Sequence, residues 1–119
     1  MRITYINGKV SGPSGEAIAK FLVDSGARYT LLPYATWKKI GLQPKRSMRF
    51  VLADGTEVER NISECLIKLP QGEGHTPVIL GKEKDAALLG VVTLEELGLV
   101  FNPFERSLQP AQMTLMSAM

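Results

Sequence analysis

Short apolar runs alternate along this chain with clusters of Gly, Pro, Asn, Asp and Ser, the pattern of many short strands joined by turns. Ile3 to Ile6 reads as a strand, Asn7-Gly8 as a hairpin turn and Lys9-Val10 as the start of the return. Ser11-Gly12-Pro13-Ser14-Gly15 is too rich in turn residues to continue a strand. Glu16 to Val23 and Arg28 to Leu32 are the next two strands. Leu32 to Gly41 predicts a short helix, with Pro33 in its first turn and Gly41 at its end. Trp37 and Ile40, three apart, would face the core.

The Asp54-Gly55 pair between Ser47–Ala53 and Thr56–Arg60 is a strong hairpin signal. With a two-residue turn, Ala53 pairs with Thr56 and Val51 with Val58. Those four then share one face, and Leu52 and Glu57 the other. Ile62 to Leu69 is a further strand, Pro70 to Gly74 a loop, Pro77 to Leu80 a short apolar strand and Gly81 to Asp85 a charged turn. Thr93 is placed to cap a helical turn over Leu94-Glu95-Glu96-Leu97, ended by Gly98. Leu99 to Phe101 and Ser107-Leu108 read as the last strands, joined by a turn over Asn102 to Arg106.

One stretch carries chemistry. Phe21-Leu22-Val23 leads into Asp24, then Ser25, Gly26 and Ala27. Asp24 falls where a buried strand ends, and a carboxylate is seldom buried without a partner or a task. Gly26 permits a sharp exit from the strand, and Ser25 can brace the turn through nearby backbone. Asp-Ser-Gly is also an ordinary turn sequence. The apolar run before it, the strand after it and a second apolar pair closed by glycine, Leu88-Leu89-Gly90, tilt the balance towards a site.

With both motifs in this order, the chain resembles the retropepsin-like aspartic peptidases, the family of the retroviral proteases and their single-lobe cellular relatives. The resemblance spans about Lys9 to Pro110. It is nearest to small bacterial and archaeal members, whose ending the stretch Gly90 to Pro103 resembles. It implies an all-β, small, closed β-barrel-like acid protease fold with one or two short helices. The domain would cover residues 1–110, and residues 111–119 would form an uncharged apolar tail. The resemblance also implies that Asp24 is catalytic, that Ser25 braces paired loops across a two-fold axis, and that Gly26 and Ala27 line a peptide groove. Leu88, Leu89 and Gly90 would support that loop. Ala53, Asp54 and Gly55 would form the tip of a flap over bound peptide. Two departures stand out: Val91 follows the second-motif glycine where retroviral members often carry an arginine, and the flap tip has a single glycine.

Hydrolysis by carboxylates needs one ionised group to draw a proton from water and one protonated group to donate to the substrate carbonyl. Two carboxyls at close range do this, as in aspartic-protease dyads, because both cannot ionise together. Only Asp24 ends an apolar run with Ser-Gly behind it; Asp54 belongs to a hairpin turn and Asp85 to a charged loop. The chain therefore needs a second copy of itself, and the expectation is a homodimeric aspartic endopeptidase acting on a peptide or protein substrate. Two other readings stand beside it. One is a catalytically silent retropepsin-fold module that binds peptides or dimerises. The other is an unrelated small β domain in which both motifs coincide by chance.

Composition narrows the partners. The chain has 119 residues, 45% hydrophobic and 22% charged, which suits one globular domain. A net charge of +2, with isolated basic pairs at Lys38-Lys39 and Lys45-Arg46, gives no basic stripe for nucleic acid. Cys65 is the only cysteine and alternates with Ile67 and Leu69 on one strand face, so an inert buried thiol is expected. With His75 as the only histidine, no metal site and no cofactor are expected. Met1 to Lys9 has no apolar signal core, and no run approaches the ~18 apolar residues of a membrane span. The expected setting is cytoplasmic, with no membrane partner.

Overall fold

The computed structural model describes residues 3–112. The fold is all-β with two short helices. In chain order the elements are β1 (Tyr5–Gly12), β2 (Gly15–Val23), β3 (Thr30–Leu32), α1 (Tyr34–Lys39), β4 (Arg46–Val51), β5 (Glu57–Leu69), β6 (Gly72–Leu80), β7 (Leu88–Leu89), α2 (Val91–Glu96), β8 (Leu99–Asn102) and β9 (Ser107–Pro110).

The main sheet runs β1-β2-β7-β3-β6-β5-β4, and β1 also pairs with β5, so the strands close into a ring with β4 outside it. Closure uses Lys9↔Lys68, Val10↔Ile67 and Ser11↔Leu66. The ring interior is filled by Val10, Phe21, Leu32, Ile67, Val78 and Leu89, all fully buried. Each such side chain contributes about 1.5–3 kcal/mol through burial. Strands β8 and β9 form a separate antiparallel pair, Leu99↔Pro110 to Asn102↔Ser107.

Three sequence expectations are corrected. Asn7-Gly8 is not a turn: β1 runs through it, with Asn7↔Lys20 and Gly8↔Ala19 in continuous register. The turn lies at Pro13-Ser14, between Gly12 and Gly15. Gly8 serves packing instead, since a Cβ there would sit 2.8 Å from Leu69 Cδ2 and 3.0 Å from Phe21 Cε2. Next, Pro70 to Gly74 is not a loop: the turn is only Pro70-Gln71, because Gly72 already pairs with Leu69 and β6 runs from there to Leu80. Finally, the segments around Asn61 are one 13-residue strand, which pairs with β4 at one end and with β6 and β1 at the other.

The helix over Tyr34–Lys39 follows Pro33 as anticipated; Ile40 is buried, and Trp37 packs against the core while its Nε1 donates to the Gly81 carbonyl at 2.8 Å. The second helix starts a turn earlier than expected. Gly90 occupies its N-cap position, and Thr93 lies inside it, fully buried. No helix among the described residues is long and apolar enough to cross a membrane. The expected tail falls outside the described residues from position 113 onward; within them, Ala111 N–H donates to the Gly98 carbonyl at 2.8 Å.

Candidate active site

Asp24 leaves the end of β2 directly over the second motif. β2 and β7 run parallel, with Leu22↔Leu88 and Val23↔Leu89. Asp24 N–H donates to the Leu89 carbonyl at 3.2 Å, and Ala27 N–H closes a turn onto the Asp24 carbonyl at 3.0 Å. The carboxylate is aimed by its own turn: Oδ1 accepts the Gly26 N–H at 2.9 Å. Asp24 is half-buried rather than interior as its sequence setting suggested, and Ser25 and Gly26 are exposed. The acid therefore stands at a surface of the single chain.

The second motif clamps the far side of this loop. Val91 N–H donates to the Ala27 carbonyl at 3.0 Å and Val92 N–H to that of Arg28 at 2.9 Å. Gly90 N–H donates to Thr30 Oγ1 at 3.0 Å. Thr30 Oγ1 also meets Thr93 Oγ1, which in turn meets Thr76 Oγ1 at 2.8 Å, so three buried hydroxyls tie β3, α2 and β6 together. Buried hydroxyls that satisfy one another fix geometry, because any displacement strands a polar group. The sequence places Thr93 as a helix cap and assigns no role to Thr30 or Thr76; the structure makes Thr93 a buried link instead. An isolated hydroxyl in each of three apolar segments was the only signal they gave.

The hairpin of β4 and β5 covers the same region. Its pairing is Val51↔Glu57 and Phe50↔Val58, one residue away from the expected register. Leu52 N–H donates to the Thr56 carbonyl at 2.7 Å and Gly55 N–H to the Leu52 carbonyl at 2.9 Å, so the tip is a three-residue loop, Ala53-Asp54-Gly55. Gly55 has φ +88°, the left-handed position that such loops require. Asp54 Oδ1 accepts the Thr56 N–H at 2.9 Å, and this bond pulls its carboxyl below the ordinary range. The slipped register separates Val51 from Val58, which were expected on one face. Val51 points outward, 69% exposed, while Phe50, the partly exposed Leu52 and Val58 line one cavity together.

Those three side chains roof a cavity of about 210 Å³. Ala27, Arg28, Tyr29 and Leu31 form its opposite wall, with Arg60, Ile79 and Leu88 completing it. Tyr29 and Phe50 meet edge to face across it, centroids 5.8 Å apart. The volume is below that of whole small-molecule sites and suits one or two side chains of an extended peptide. The exposed tip residues Ala53, Asp54 and Gly55 lie outside the lining. Leu89 belongs to the core, and Gly90 is buried against Tyr29 and Thr30.

Among the described residues no group of three or more His, Cys, Asp or Glu is placed to hold a metal ion. Cys65 is buried, and burial pushes its thiol up to about 12, far from a nucleophile's range.

Comparison with known proteins agrees with this architecture. A sequence model described as "gag-polyprotein putative aspartyl protease" matches residues 6–96. No curated protein matches the chain. Among solved structures, the simian foamy virus (mac) protease is 20% identical with a TM-score of 0.54, over 77% of this chain and 89% of that one. The EIAV protease, solved in complex with the inhibitor HBY-793, is 17% identical with a TM-score of 0.62, over 96% of this chain and 94% of that one. At these identities the structural likeness speaks for the fold.

Proposed function

The chain belongs to the gag-polyprotein aspartyl protease family, and from that premise we propose that it is an endopeptidase whose centre is completed by two copies of Asp24, one from each subunit of a homodimer. The observation that carries this reading is the Asp24 loop: a carboxylate aimed by Gly26 N–H, clamped by the second motif and half-exposed beside an apolar groove. No other aspartate can complete the pair from within the chain. Asp54 caps the hairpin turn, and Asp85 Oδ2 accepts the Lys82 N–H at 2.7 Å. Across a two-fold axis, one Asp24 would stay ionised and activate water while the other, protonated, would polarise the scissile carbonyl. The groove walls would hold the peptide extended, and the β4–β5 hairpin would close over it.

Apolar surface supports the pairing of two chains. Ile3, Tyr5, Val100 and Phe104 are each at least half exposed, Phe104 by 91%, and the β8–β9 pair leaves strand edges open among the described residues. The test is a casein digestion, blocked by pepstatin, repeated over a dilution series. Below the dimer dissociation constant the dimer fraction falls in proportion to concentration. Each tenfold dilution should then cut specific activity by about tenfold. Full activity from a protein shown by sedimentation to be monomeric would exclude a shared site. A dimer that digests nothing would favour a silent binding module.

The hairpin role has its own test. Gly55→Val places a β-branched residue at φ +88° with no atom within 4 Å of its Cβ, so the strain is conformational and local. Left-handed backbone costs an L-residue about 1–2 kcal/mol, which corresponds to roughly a tenfold fall in kcat/KM if the tip closes over substrate. The same strain, carried in the folded state, should lower the Tm by about 4–8 °C for a domain of this size. Unchanged kinetics would separate this hairpin from catalysis.

A further inference from the structure

The groove cavity is lined by aliphatic and aromatic side chains except at two places, and both carry a guanidinium. Arg60 comes from β5 and Arg28 from the Asp24 loop. No carboxylate lies among the lining residues. Arg60 is the more constrained: its side chain is 24% exposed, and its Nη1 is buried with no hydrogen-bond acceptor. The nearest carboxylate oxygen, Asp85 Oδ2, is 3.8 Å away and already accepts the Lys82 N–H. Arg60 also lines the neighbouring pocket formed with Gly81 and Lys82, so its side chain borders both. Asp85 thus balances part of the charge without occupying the donors. Nη1 itself is closed off, so a ligand carboxylate would meet the part of the Arg60 side chain that lines the cavity.

We propose that this cavity is a subsite for a glutamate side chain of the substrate, its carboxylate taken by Arg60, with the exposed Arg28 adding positive charge. The proposal rests on the reading of this groove as a peptide groove. Leu31, Val58, Ile79 and Leu88 suit the two methylenes, and the guanidinium fork suits a carboxylate in preference to a neutral amide. Aspartate is a methylene shorter and would leave its charge among the aliphatic walls. In a homodimer the two-fold axis repeats the subsite, so glutamate is selected at one position on each side of the Asp24 pair.

The test separates binding from turnover. The Asp24→Asn full-length chain is titrated at pH 6.5, where a glutamate of ordinary pKa is ionised, with labelled alanine-valine decapeptides. One Glu, or one Gln, is walked along the sequence. At one position, or two related by symmetry, Glu should bind at least tenfold tighter than Gln. Arg60→Met should bring that ratio to about one, and Arg60→Lys, which keeps the charge, should retain part of it. A flat ratio at every position, no binding at all, or a ratio untouched by Arg60→Met would overturn the proposal. Digestion of the same peptides by the wild-type chain tests the peptidase reading alone. Cleavage with a flat ratio defeats only the glutamate subsite, and glutamate-selective binding without cleavage defeats only catalysis.

Discussion

The Asp24→Asn protein is expected to fold and dimerise normally and to lose peptide cleavage by about 10³-fold or more, the scale of removing a general acid–base group. The structure explains why the fold should survive. Asp24 supports its turn through Oδ1, which accepts the Gly26 N–H at 2.9 Å, and the amide oxygen of asparagine accepts equally well. The backbone bonds to Leu89 and Ala27 do not involve the side chain. A Tm within about 3 °C of wild type, the same mass in solution and no digestion of casein would together locate the chemistry at this residue. The companion variant Asp54→Asn, at the exposed hairpin tip, should keep most of the activity. Wild-type rates from Asp24→Asn would remove Asp24 from the mechanism.

Gly90→Ala should be the most damaging small substitution in the chain. The backbone at Gly90, φ −98° and ψ 169°, is open to any residue, so the cost is purely steric. An added Cβ would lie 2.4 Å from Tyr29 C, 2.6 Å from Tyr29 O and 2.8 Å from Thr30 N. These are backbone atoms that cannot rotate aside, and they belong to the segment linking the Asp24 loop to β3. Forced overpacking of this kind costs about 1–3 kcal/mol. For a domain of this size that is a fall in Tm of about 4–12 °C. The shift also pulls Gly90 N–H from Thr30 Oγ1 and loosens the clamp on the loop, so activity should fall further than the lost stability accounts for. Gly72→Ala is the control, since the nearest atom to its added Cβ is 3.9 Å away. Equal Tm values for the two variants would show that the close approach at Gly90 is not rigid.

Several elements were readable from local pattern. The apolar run that delivers Asp24, the Leu88-Leu89-Gly90 echo, the helix between Pro33 and Gly41 and the Asp-Gly hairpin are each encoded within about ten residues. Their cause is local: strand propensity, a ring that sets proline φ, a glycine that permits a turn. The errors share a different origin. Asn7-Gly8 has the composition of a turn, but Gly8 is needed where Phe21 and Leu69 press on the backbone. The Asp54-Gly55 pair announced a hairpin without stating its loop length, and one residue of slip turned Leu52 and Val58 towards the groove together.

The turn of the acid loop follows from the order of residues in Val23-Asp24-Ser25-Gly26-Ala27, because two of its hydrogen bonds, from Gly26 N–H to Asp24 Oδ1 and from Ala27 N–H to the Asp24 carbonyl, close within three residues. What surrounds that loop could not follow from it. Thr30 and Thr93 meet although 63 residues separate them. β7 lies between β2 and β3 only because the chain returns after more than fifty residues to fill that gap. Arg60 reached the groove through the register of β4 on β5, which side-chain packing across the whole ring selects. Short-range contacts repeat wherever the same few residues recur, so they can be read in one dimension. Long-range contacts depend on which of many compact arrangements buries the most apolar surface with every polar group satisfied, and that choice belongs to the assembled fold.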